Sequence, residues 1–344
     1  MREAFGATFD VPEGYLDTAS IGIPPTVTAD AMTETVRRWG SGLDGAGDFV
    51  DAADTARAAF GSLIGVPADR VAAGATVSQL VGLVAASLPA DTTVLAAAQE
   101  FPSVTFPFAV QQRRGVRLTE VGLGELPARV AEHDLVVASV VQANNGRIVD
   151  LDALRVAAQA GGTRVLLDVT QAAGWLPLQL EWADFVVGTA YKWLLSPRGS
   201  AWMALRPDAR ALVAPLCANW YSVPDRDAAT EGLPARIAEG AHGLDLSPSW
   251  FAHVGAATSM SWLLKVDRES VRRHCVGLVD VLREELGQSP AGSAITAVDV
   301  PEAHEKLAAA GIAHSVRAGA VRLAFHMYNT VDDVERVMRV LRSA

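Results

Sequence analysis

The chain has 344 residues, with 29 Lys and Arg against 39 Asp and Glu for a formal charge of −10; half its residues are hydrophobic and 20% are charged. That much apolar surface offsets the entropy of ordering and excludes a disordered chain, and the acidic excess argues against a nucleic-acid partner, which needs clustered Lys and Arg. No apolar run approaches the ~18 residues of a membrane span and Met1 to Gly6 shows no leader pattern, so the expectation is a soluble, cytoplasmic protein without a membrane partner.

From about residue 25 to 205, short β-branched runs alternate with Ala- and Leu-rich stretches, the pattern of βα units around a mostly parallel sheet. In chain order, the spacing predicts helices over Ala52 to Leu63 and Thr76 to Ala86, then strands over Thr93 to Ala98 and Leu135 to Gln142. A helix over Leu151 to Ala160 follows, then strands over Arg164 to Asp168, Asp184 to Gly188 and Ser200 to Leu205. Residues 206 to 250 are rich in Pro, Gly and Asp and read as an irregular segment. One long helical stretch is expected from Ser249 to Leu286. Beyond it, strands at Ser293 to Val298, His314 to Val316 and Val321 to Phe325 alternate with helices at Pro301 to Ala310 and Thr330 to Leu341. The resulting expectation is an α/β chain with a large domain over 20–265, and a smaller α+β domain made of 1–19 and 266–344.

The two cysteines, Cys217 and Cys275, lie far apart and outside any C-x-x-C pair, and none of the seven histidines has metal-ligand spacing. No disulfide framework and no metal site is expected.

Only three of the 29 basic residues are lysine: Lys192, Lys265 and Lys306. Lys265 and Lys306 sit among charged neighbours on helical stretches and read as surface amines. Lys192 directly follows an apolar strand and is flanked by Tyr191 and Trp193, where an unpaired ammonium is costly. Burial disfavours the charged form and turns such an amine into a nucleophile toward a carbonyl, although a lysine laying its stem on apolar surface would also fit.

Two further features bear on that choice. Asp168 ends an apolar strand, where open α/β sheets bind ligands, with Gln171 three residues on. There a carboxylate could keep a pyridine nitrogen protonated, or simply cap a helix. Gly74-Ala75-Thr76-Val77-Ser78 precedes a helix and offers backbone N–H groups to a phosphate, while also reading as an ordinary loop and cap.

In this order the pieces resemble the class V aminotransferase group of fold type I pyridoxal 5′-phosphate (PLP) enzymes, which includes cysteine desulfurases, kynureninase and isopenicillin N epimerase. The resemblance rests on Gly-Ala-Thr near residue 75, Glu100-Phe101, Ser139-x-x-Gln142-x-x-x-Gly146, Asp168-x-x-Gln171, Thr189-x-Tyr191-Lys192 and Arg322-x5-Tyr328-Asn329-Thr330. It implies Lys192 as the Schiff-base lysine, Asp168 as the pyridinium partner and Gln171 as a donor to the ring's phenolic oxygen. Ala75, Thr76, Val77, Thr189 and Tyr191 would hold the phosphate, Phe101 would stack on the ring, and Ser247 would reach a phosphate across a homodimer interface. Arg322 would clamp the substrate α-carboxylate, with Gln142 beside it, unless it instead pairs with Asp332 or Asp333.

The implied activity is aldimine formation with a small α-amino acid and loss of its α proton. β-Elimination is the preferred outcome, ahead of transamination and epimerisation; a cofactor-binding protein without turnover is the remaining alternative. Three departures from the desulfurase pattern stand out: Phe101 replaces a ring-stacking histidine, Tyr191 replaces a histidine before the lysine, and residues 311–319 contain no cysteine where a desulfurase holds its persulfide loop.

Overall fold

The computed structural model describes residues 1–226, 232–233 and 236–342. An N-terminal hairpin, β1 (Arg2–Ala4) and β2 (Ala7–Phe9), leads into two long helices, α1 (Thr26–Gly40) and α2 (Ala46–Ile64). The central region then runs β3 (Val71–Gly74), α3 (Val77–Ser87), β4 (Thr93–Ala97), α4 (Pro102–Ala109), β5 (Arg117–Val121), α5 (Leu126–Arg129) and β6 (Leu135–Ser139). It continues with α6 (Leu151–Gly161), β7 (Arg164–Asp168), β8 (Phe185–Thr189), β9 (Ala201–Leu205) and α7 (Pro207–Arg210). The last part comprises α8 (Trp250–Leu263), α9 (Arg268–Glu285), β10 (Ile295–Val298), α10 (Ala303–Ala309), β11 (Ser315–Arg317), β12 (Ala320–Ala324) and α11 (Val331–Arg342).

Seven strands form the central sheet in the order β3-β9-β8-β7-β6-β4-β5. Only β9 runs against the rest, pairing antiparallel with both β3 and β8. The C-terminal ends of the other six strands therefore share one edge. The chain steps outward from β4 to β5, returns to β6 on the other side of β4, and winds away through β7 and β8, which places a topological switch between β4 and β6.

Both faces of the sheet are covered, and the period of two along each strand divides the core. Leu95, Val136, Val165, Leu167 and Val186 pack with Ala53, Phe60, Leu154 and Met260. Val94, Val137, Leu166, Phe185 and Val187 pack with Leu80, Val84, Val104 and Phe108 from α3 and α4. A three-stranded antiparallel sheet, β10-β12-β11, carries the third apolar cluster with α9, α10 and α11. The N-terminal segment reaches this sheet: Leu16 joins its core and Asp17 bridges to Ala324.

The mostly parallel sheet flanked by helices is the expected architecture, with local corrections. The helix expected over Ser249 to Leu286 is two helices. Its apolar spacing runs on through Leu263, Val266 and Val271, but Asp267 caps a new start, its carboxylate accepting from the Glu269 and Ser270 amides at 3.4 and 3.1 Å. The strand expected to reach Gln142 stops at Ser139, after which Val141 turns back to bridge Ile148. The helix expected from Pro301 begins only at Ala303, because Glu302 takes a left-handed φ of 58°. Within the segment expected to be irregular, α7 and a 3-10 turn at Ala241–Leu244 are ordered elements, and residues 227–231 and 234–235 lie outside the described residues.

Candidate active site

Strand parity assembles the site. Ser139, Asp168 and Thr189 end β6, β7 and β8, and each shares its strand face with the residues that pack on α3 and α4. Ser139 is in register with Asp168, and Asp168 with Val187. A cavity of about 390 Å³ opens at this edge. Its wall includes Thr76, Phe101, Asp168, Gln171, Lys192 and Arg198. A larger cleft of about 570 Å³ lies at the opposite edge, but its principal charged groups are already committed, Arg164 to Asp184 and Asp208, and Asp134 to Thr93.

Lys192 sits just after β8, where the loop to β9 is closed by Ser196 N–H donating to Ala190 O (3.1 Å) and Ala190 N–H to Ser200 O (3.3 Å). The N-terminal segment locks this turn. Gly22 N–H donates to Tyr191 O at 2.9 Å, and a Cβ at position 22 would fall 1.9 Å from the Lys192 carbonyl oxygen, so only glycine fits. The Lys192 side chain is buried, its Nζ 5.3 Å from the Phe101 ring centroid and 5.6 Å from that of Tyr191. Desolvation lowers its pKa to about 8, against the opposing field of Asp168; Arg322 and Arg317 lower it further.

Asp168 is buried at the cavity wall and accepts the Thr170 amide at 2.8 Å. No helix begins there, so the alternative of a helix cap is not what the structure holds. Burial raises its pKa, opposed by Thr170 and Lys192. Gln171 is oriented from both ends, with Trp193 Nε1 donating to its Oε1 at 2.7 Å and its Nε2 donating to Ala19 O at 3.0 Å. A second N–H remains on Nε2. Ala75, Thr76, Val77 and Ser78 line the cavity where α3 begins, and the first-turn amides of a helix have no intrahelical partner. Thr189 also lines it, but its hydroxyl donates to Ser200 O at 3.0 Å.

Glu100 lies behind this wall. It accepts the Ser139 amide at 2.9 Å and the Ser139 hydroxyl, and burial pushes its pKa up to about 7, helped by the charge of Asp168.

Arg322 projects from β12 and is almost wholly buried. Its Nη1 donates to Ala143 O at 2.5 Å, and its Nη2 to Ser20 Oγ at 2.7 Å and Asp17 Oδ1 at 3.4 Å. Nε has no partner among the described residues. Pairing with Asp332 or Asp333 is excluded: Asp333 holds Arg2, while Arg322 pairs with Asp17. Burial lowers the Arg322 pKa to about 10, so the group stays cationic at neutral pH.

Three expected site residues do not line the cavity: Arg322, which lies just behind the wall on Ala143 O, Gln142, and Ser247, which was expected to reach a partner's phosphate. Gln142 is buried with its Nε2 donating to Ala98 O at 2.9 Å, which ties the ends of β4 and β6 together rather than facing a ligand. Ser247 is exposed and accepts the Trp220 indole N–H at 3.1 Å, away from the cavity wall. One charged residue at the cavity went unnoticed in the sequence. Arg198, six positions after Lys192 in Ser196-Pro197-Arg198-Gly199, lies against the Tyr191 ring with Cζ 5.5 Å from its centroid.

A mostly parallel sheet whose C-terminal edge gathers a buried carboxylate, a desolvated lysine and the start of a helix defines a fold type I enzyme. The aminotransferase class-V family model matches residues 15–313, and the chain belongs to that family. Among curated relatives, an uncharacterized aminotransferase of Bacillus subtilis, YcbU, is 24% identical, covering 85% of this chain and 83% of its own. Isopenicillin N epimerase of Streptomyces clavuligerus is 29% identical over 72% of this chain and 67% of its own, and kynureninase of Monosiga brevicollis is 26% identical over 96% and 86%. Among solved structures, the cystine C-S lyase C-DES in complex with cysteine persulfide has a TM-score of 0.86 at 19% identity, covering 96% of this chain and 98% of its own.

Proposed function

We propose that the protein is a PLP-dependent enzyme that removes the α proton of a small amino acid, with loss of a β substituent as the preferred outcome. The observation that carries this is Lys192, a buried amine with no hydrogen-bond partner among the described residues, its pKa lowered to about 8, facing the cavity that Asp168 also lines. The donor set fits the cofactor: a reactive amine for an aldehyde, a buried carboxylate for a pyridinium, and helix-start amides for a phosphate.

Bound PLP supplies the electron sink that allows an α C–H bond to ionise. Asp168 would hold the proton at the pyridine nitrogen. Gln171, fixed by Trp193 and Ala19, has an N–H left that would serve the phenolic oxygen, and Phe101 would cover the ring with apolar surface. The amides of Val77 and Ser78 would bind the phosphate. Arg322, just behind the wall, would bind the α-carboxylate through its Nε, which has no partner among the described residues, and so orient the α C–H bond. Lys192 Nζ takes the α proton. Phe101 offers no transferable proton, so an inversion would need another carrier such as the Tyr191 hydroxyl, and it ranks behind elimination.

Transfer of sulfur through a protein persulfide is disfavoured as well. Arg317 pairs with Ala320 across a tight turn at Ala318 and Gly319, so residues 315–324 form a short hairpin rather than a long cysteine-bearing loop. Transamination is the second reading, favoured by the description of the B. subtilis relative as an aminotransferase. A homodimer completes the proposal, and a light-scattering mass equal to one 36.2 kDa chain would contradict that part.

The test is a scan of amino acids against the PLP-loaded protein, reading absorbance, 2-oxo acid, ammonia and sulfide. Release of pyruvate and ammonia from a β-substituted alanine supports elimination, and amino transfer to an added 2-oxo acid supports the second reading. No spectral change with any amino acid would overturn both.

A further inference from the structure

Thr189 was expected to donate to the cofactor's phosphate, but its hydroxyl proton is committed to Ser200 O. A phosphate monoester carries roughly −1.5 to −2 at neutral pH, and a helix start supplies roughly +0.5. The cavity therefore needs another cation at its phosphate end.

Of the side chains lining the cavity, only Lys192 and Arg198 are cationic, and Lys192 is the amine that joins the aldehyde. Arg322 lies beyond the wall, held by Asp17, Ser20 and Ala143. Arg198 makes no ion pair or hydrogen bond among the described residues; its one recorded contact is the face of Tyr191. That contact orients the guanidinium. The loop between β8 and β9 fixes its position, with left-handed φ values of 54° at Leu195 and 122° at Gly199. Tyr191 precedes Lys192 and likewise lines the cavity, and burial raises its pKa, so its hydroxyl keeps a proton to donate.

We propose that Arg198, backed by the Tyr191 ring, is the counter-cation that holds the cofactor's phosphate, in a role the phosphate pocket expected from sequence gave to Thr189. This rests on the PLP reading, and the two are separated by the ligand used. Apo-protein is titrated with PLP and with pyridoxal, which lacks the phosphate, following absorbance and fluorescence. Arg198→Gln should weaken PLP roughly 10- to 100-fold while leaving pyridoxal unchanged. Arg198→Lys should recover part of the loss, because charge is kept and the fork is not.

Equal affinities of parent and Arg198→Gln for PLP would overturn the proposal while leaving the PLP reading intact. So would an unchanged PLP affinity combined with a raised KM for acidic amino acids alone, which would make Arg198 a substrate contact. A parent protein that binds neither ligand overturns both readings.

Discussion

Replacement of Arg322 tests the carboxylate clamp. Its guanidinium is nearly solvent-free, two of its nitrogens are held by Ala143 O and Ser20 Oγ, and its Nε has no partner among the described residues. The group is thus pre-oriented without being saturated. Truncating one member of a buried charge-assisted pair costs about 2 to 5 kcal/mol, or roughly 30- to 5000-fold in kcat/KM. Asp17 at 3.4 Å already neutralises part of the charge, which favours the lower half of that range. Arg322→Lys should lie near the lower bound, since charge persists while the planar fork is lost. PLP affinity should change little. Arg322 also depresses the Lys192 pKa, so in apo-protein Arg322→Ala should raise the pH at which the Lys192 amine becomes reactive toward a lysine-selective reagent. The assay is steady-state kinetics on the substrate found by the amino-acid scan, with the reagent's pH profile as a second readout. Parent-level kcat/KM in Arg322→Ala would refute the clamp, and an unshifted reactivity profile would refute the proposed coupling to Lys192.

Stability offers two further checks. Asp245 lies fully buried with both oxygens on Arg57, at 2.9 and 2.8 Å, and also accepts the Ala73 amide at 2.7 Å, fastening the segment after α7 to β3. Asp245→Ala leaves the buried Arg57 with only the longer contact to the half-exposed Asp54, at 3.5 Å, as an ion pair among the described residues, and should destabilise the protein by about 3 kcal/mol in urea unfolding, where a loss under 1 kcal/mol would contradict the pairing. Glu100 has a native pKa of about 7, above its ordinary value of 4.5. Between those values the folded state binds more protons than the unfolded one, so stability contributed by the protonated form is lost as pH rises. The stability of the parent relative to Glu100→Gln should therefore fall between pH 4.5 and 7.5, by roughly 1 to 3 kcal/mol, and a pH-independent difference would contradict the raised pKa.

The features legible in the sequence were those carried by local chemistry in a strong pattern. Val165-Leu166-Leu167-Asp168 announced a buried strand ending in a carboxylate, and Tyr191-Lys192-Trp193 placed a scarce lysine in apolar surroundings. Strand parity then turned those separate signals into one cavity. What stayed hidden depended on distant partners. β3 is a run of only four small apolar residues, too short to stand out, and β5 is an edge strand with Arg117 and Glu120 exposed, which breaks its apolar pattern. The pairing of Asp17 with Arg322 spans 305 residues, and the commitment of Thr189 to Ser200 O follows from how the loop closes. Arg198 carried one local hint, a Pro-Arg-Gly turn close behind the lysine. Nothing in the spacing showed that it meets the same cavity.

The central claim is that Lys192 holds PLP. Borohydride reduction of the PLP-loaded protein, followed by peptide mass mapping, tests it directly. The account predicts a phosphopyridoxyl mass on the peptide containing Lys192, absent from a folded Lys192→Ala protein. A reduced adduct on Lys265 or Lys306 in its place, or an adduct that survives in Lys192→Ala, would contradict the account.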